Sequence, residues 1–160
     1  MKLLKKEAAY EKLKFYQNIC EIRRLVYNCS ERFKKTHLRL VSQMRDAARS
    51  AKQNIREGYK KGSAGEFRHS INISLGSLEE LGGDIEDCLE DGLITKEEFE
   101  KLAVLFQSAD YMAGRYVVSL SKMERDGTWK NPRGSIKSTS RNISQPHVTS
   151  GNIKKERSLR

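Results

Sequence analysis

The sequence predicts an all-α protein, an up-down-up-down antiparallel four-helix bundle, from three observations. Its 160 residues hold two prolines, Pro132 and Pro146, so the first 131 residues run without one. Few β or α/β domains tolerate that across all their turns. Four long stretches repeat apolar residues at steps of three and four, the period of an amphipathic helix. Short polar or glycine-bearing segments separate them, and short connections make successive helices antiparallel neighbours.

The first helix is expected over about 7–30, where Phe15, Ile19, Ile22, Val26, Cys29 and Phe33 fall at heptad-like steps. A second follows over about 38–58, with Val41, Met44, Ala48, Ala51 and Ile55 on one face. Gly58 is expected to stop it, and Gly62, Ser63 and Gly65 to make the turn. The third, over about 65–91, turns Phe67, Ile71, Leu75, Leu78, Leu81, Ile85 and Leu89 inward and ends at Gly92. Gly76, Gly82 and Gly83 interrupt it, each weaker than alanine by about 1 kcal/mol. They imply either a bend or the close approach of another helix or subunit.

The fourth helix starts at Thr95, whose hydroxyl caps it while Glu98 reaches back, a capping box. It runs to about 125 through Phe99, Leu102, Phe106, Ala109, Ala113, Tyr116, Leu120 and Met123. The periodicity stops there. Residues 1–126 therefore read as the bundle and 127–160 as a disordered basic tail, with Trp129 docking back on the bundle.

Charge is unevenly placed. Residues 1–68 carry 18 Lys and Arg against 7 Asp and Glu, residues 69–126 carry 5 against 13, and residues 127–160 carry 8 against 1. Such polarity favours self-association and concentrates a positive field on the first half. No stretch is apolar enough for a membrane span or a signal-peptide core, so a cytoplasmic protein without membrane contact is expected. Cys20, Cys29 and Cys88 are odd in number and irregular in spacing, which suits buried free thiols rather than zinc or disulfides.

The second helix carries a cationic stripe beside its apolar one. Arg45, Arg49, Lys52 and Arg56 repeat at 4-3-4 spacing, stacking four cations along roughly 16 Å of helix. Lys60, Lys61 and Arg68 extend the basic excess. These seven residues are the candidate nucleic-acid-binding set, and the structural alternative is pairing with carboxylates of the acidic third helix.

Other motifs are weaker. Asp87 to Glu98 imitates a calcium loop, but Leu89 stands where an oxygen ligand is needed, and the capping box accounts for Thr95 and Glu98. Arg32 and His37 share the spacing of the catalytic motif of HEPN ribonucleases, here in a basic turn rather than a late helix. His69 and Ser70 are adjacent on a helix and do not face each other. No catalytic residue, metal site or cofactor is expected.

Several segments, in order, resemble one bacterial family of four-helix bundles: Ser42-Gln43-Met44-Arg45-Asp46-Ala47-Ala48, Asn54-Ile55-Arg56-Glu57-Gly58, Glu66-Phe67-Arg68 and Gly76-Ser77-Leu78-Glu79-Glu80-Leu81. Gly92-Leu93-Ile94 and Gly114-Arg115 follow. The family includes proteins encoded in intervening sequences of large-subunit ribosomal RNA and the accessory variability determinant of diversity-generating retroelements. The resemblance covers about residues 5–125. It implies a non-enzymatic homopentamer with a basic surface and, for the retroelement branch, RNA and a reverse transcriptase as partners. The chain departs from the family pattern at Arg56, at Gly82-Gly83 and in its longer basic tail.

Overall fold

The computed structural model describes residues 7–132. A 3-10 turn over Ala9–Lys12 leads into α1 (Lys14–Ser30), and a second over Lys35–His37 leads into α2 (Leu38–Lys61). Helices α3 (Ala64–Glu90) and α4 (Lys96–Arg125) complete the chain's regular structure among the described residues. The expected basic tail beyond residue 132 lies outside them.

Cross-helix pairs give the direction of packing. Gln43 meets Asp84 while Ala51 meets Ser74, so α2 and α3 run antiparallel. Phe15 meets Tyr116 while Asn18 meets Ser108, which does the same for α1 and α4. Each helix packs on the next and α4 returns to α1, closing a four-membered ring around one core. The inward residues expected of each stripe are buried or half-buried, with Ile22, Val26, Met44, Ala51, Ile55, Phe67, Ile71, Leu81, Ala109, Ala113 and Leu120 fully enclosed.

Helix ends follow their capping chemistry. Ser63 accepts from the backbone amide of Glu66 at 3.1 Å and starts α3. Thr95 and Glu98 form the full capping box at α4, so Glu98 caps a helix and Asp87 lies within α3. Among the described residues no group of His, Cys, Asp or Glu is placed to hold a metal ion.

One boundary differs from expectation. Helix α2 continues past Gly58 and ends at Gly62, which adopts φ +100°, the left-handed cap that only glycine accepts without strain. Gly58 is instead a packing residue: a Cβ there would lie 2.2 Å from Ser70 Cβ. The N-terminal boundary also moves, since α1 begins at Lys14 rather than near residue 7. Trp129 does dock back. Its indole N–H donates to the Gly62 carbonyl at 2.8 Å, and its ring packs 6.0 Å from Phe67.

The interior glycines of α3 are not explained by packing within the subunit. A Cβ on Gly76 or Gly83 would meet nothing within 4 Å, and one on Gly82 would make ordinary contact with Phe106. Gly83→Ala is therefore expected to raise unfolding free energy by about 1 kcal/mol. Gly58→Ala is expected to lower it through the clash with Ser70, with urea titration followed by circular dichroism as the measurement of both.

Candidate nucleic-acid interface

Two members of the cationic stripe of α2, Arg45 and Lys52, turn toward α1. Arg45 bends onto the last turn of α1, where its Nε donates to Ser30 Oγ at 2.9 Å and its Nη2 to the Tyr27 carbonyl at 3.3 Å. Its guanidinium carbon also lies 4.6 Å from the centre of the Tyr27 ring. A cation there satisfies helix-terminal carbonyls and complements the negative end of the α1 dipole. Arg23 approaches the same ring at 4.5 Å. Two guanidinium groups thus converge on Tyr27 at the α1–α2 seam.

Down the stripe, Lys52 is half-buried beside Cys20 of α1, and its charge opposes the burial that raises the Cys20 pKa. Arg49 is exposed and pairs at 3.1 Å with Asp46 of its own helix. Such exposed pairs add little stability and exchange readily for another anion. Arg56, Lys60 and Lys61 are exposed and form no ion pair with another described residue. Lys60 and Lys61 also sit at the negative end of the α2 dipole.

The acidic third helix lies on the opposite flank of α2. Gln43 donates to Asp84 at 3.1 Å, and the Ser50 and Ser77 hydroxyls meet at 3.0 Å, so neutral side chains of α2 make these contacts with α3. Among the described residues no ion pair joins Arg45, Arg49, Lys52 or Arg56 to α3. The intramolecular neutralisation that would remove the stripe from use is absent there. Asp84 is half-buried, and burial, followed by the neighbouring Asp87 charge, pushes its pKa up.

The seven expected residues do not form one surface. Arg49, Arg56, Lys60 and Lys61 are exposed on α2, while Lys52 is half-buried beside α1. Arg45 starts the same stripe but is engaged with α1. Arg68 lies on the other side of the bundle, where Nη1 meets Glu124 at 2.8 Å and Ser121 at 2.9 Å, both on α4. Arg23 and Tyr27 were not anticipated. Their i, i+4 spacing on α1 was the available signal, but spacing does not reveal which helix lies opposite.

Arg32 and His37 serve the fold. The Arg32 guanidinium pairs with Glu98, the capping residue of α4, and His37 packs edge-on against Phe33 at 6.4 Å. The HEPN-like spacing thus closes the α1–α2 turn onto α4. The three cysteines are free. Burial raises all three thiols, that of Cys88 to about 11, so none is set up as a thiolate nucleophile.

A four-helix bundle with a basic flank on α2 defines the class. The model of the 23S rRNA-intervening sequence protein family matches residues 11–114, well over half of the chain. The chain belongs to that family. No curated protein matches it. No helix among the described residues is long and apolar enough to cross a membrane.

Two expected outcomes follow from this geometry. Arg45→Ala should lower stability by about 1–2 kcal/mol, from lost cation–π and charge-assisted hydrogen bonds, whereas Arg49→Ala should change it by less than about 0.5 kcal/mol. Thermal melts of the two variants measure the contrast. Glu98 is the second case. Its hydrogen bond from Arg32 lowers its pKa from the ordinary 4.5, so the ionised form favours folding. That contribution is complete above the ordinary carboxylate value and is lost as pH falls through the lowered one. Glu98→Gln should flatten this part of the acid limb of a stability–pH curve.

Proposed function

We propose that this chain is a non-enzymatic RNA-binding accessory protein of the cytoplasm whose α1–α2 face contacts phosphates. The observation that carries the reading is the flank chosen by the α2 cations. Arg45 and Lys52 lie toward α1, Arg49 and Arg56 are exposed, and among the described residues none of the four pairs with an α3 carboxylate. Exposed Arg and Lys at helical spacing present charge along a polyanion. Phosphate contacts of this kind give affinity without strong sequence preference.

Two further partners belong to the same reading. The family to which the chain belongs supplies a ribosomal-RNA context, and the motifs shared with the accessory variability determinant support a homopentamer working with a reverse transcriptase. Repeating a basic face in several copies multiplies weak phosphate contacts into useful avidity. The alternatives are an intervening-sequence bundle of another role and a pure protein-interaction module that docks an acidic partner through the same cations.

Gel-shift titration with structured RNA, duplex DNA and an acidic peptide at two salt concentrations separates these. RNA should bind most tightly, with affinity falling steeply as salt rises. The Arg49→Glu/Arg56→Glu variant should bind at least about tenfold more weakly and with a shallower salt slope, at unchanged helicity. Equal retention of RNA by the variant and the parent would remove the α2 stripe from the proposal.

A further inference from the structure

Helix α4 has two apolar stripes, and the subunit uses one. Leu102, Ala109, Ala113 and Leu120 are buried in the core. On the opposite side Val104, Tyr111 and Val118 are 67%, 63% and 69% exposed. Steps of seven put these three in line along about 21 Å of helix. Large apolar side chains aligned in water at heptad spacing mark an unused contact face.

Tyr111 is held in place on that face. Arg115, one turn on, donates from Nη1 to the Tyr111 hydroxyl at 3.1 Å, and its guanidinium carbon lies 5.7 Å from the ring centre. The tyrosine and arginine thus form one preset cationic knob, of two residue types enriched among the anchors of protein contacts.

A matching slot of about 610 Å³ opens between α3 and α4. Its buried and half-buried lining includes Leu75, Leu78 and Phe106, and exposed Glu79 and Asp110 stand at its edge. Gly76 lines it too, where a Cβ would meet nothing within 4 Å. Nothing inside the subunit requires glycine at that point, yet any side chain there would occupy the slot. An apolar floor with a carboxylate edge suits an aromatic ring carrying a guanidinium.

We infer that the α3–α4 slot receives the Tyr111–Arg115 knob of a second copy of this chain. Knob and slot are different residues, so every copy carries both halves and the contact is self-complementary only between copies. Charge agrees with shape, because Arg115 meets Glu79 and Asp110. The contact leaves the α1–α2 cations outside it. The inference rests on the self-association in the reading above and names its face.

Light scattering of the full chain tests it with two variants, Tyr111→Ala/Arg115→Ala without the knob and Gly76→Leu with the slot filled. The parent should be multimeric and each variant monomeric with parental helicity. An equimolar mixture should form a two-copy complex, because one intact knob then meets one intact slot. If Gly76→Leu loses helicity, Glu79→Arg at the slot edge takes its place. Variants that keep the parental mass, or a mixture that stays monomeric, overturn the assigned face while self-association stands. A monomeric parent overturns self-association and the face together.

Discussion

The close seam between α2 and α3 is the constraint on which the rest of this bundle depends. Gly58 leaves no room for even a methyl group against Ser70, and Ala48, Ala51, Ala64 and Ser74 continue the run of small buried residues. Ser74 Oγ donates to the Ala51 carbonyl at 2.6 Å, tying the two backbones together directly. Helices that approach on small residues have little freedom to rotate, because larger side chains would enter the seam. The axial rotation of α2 is thereby fixed.

That rotation decides the electrostatics. With Gly58, Ala51 and Ala48 turned inward, Arg45 and Lys52 emerge on the α1 side, and Gln43 and Ser50 emerge on the α3 side. A sequence with a basic first half and an acidic second half could have neutralised itself by pairing α2 with α3. Instead, polar neutral residues separate the two. Arg45 supplies the joint between the seam and α1, since its contacts with Tyr27 and Ser30 anchor the end of that helix. The same side chain that begins the cationic stripe therefore also holds the neighbouring helix beside it.

Much of the fold was legible in advance because it follows from local rules. Four apolar stripes at helical period, the capping box at Thr95 and Glu98, and the docking of Trp129 all appear as expected. Gly58 misled because a glycine near a helix end reads as a stop, whereas its role depends on Ser70, twelve residues away in sequence and adjacent in space. Gly62, four residues on, has the left-handed backbone that ends the helix. The glycines of α3 were flagged as unusual, and only the tertiary structure separates them. A Cβ on Gly82 would reach Phe106 at 3.8 Å, while one on Gly76 or Gly83 would meet nothing within 4 Å.

The candidate site divides in the same way. Spacing alone established that Arg45, Arg49, Lys52 and Arg56 share one stripe, because the helical repeat fixes which side chains lie together. It also established that α4 is apolar enough to enter a core. The tertiary structure decided that Arg45 and Lys52 turn toward α1, that Arg68 belongs to a different seam, and that Tyr27 and Arg23 lie beside Arg45. The physical reason is that a sequence encodes the period of each helix but not its rotation against its neighbours. Rotation is set by how side-chain volumes fit across a seam, and here that fit is made by Gly58, Ala51 and Ser74.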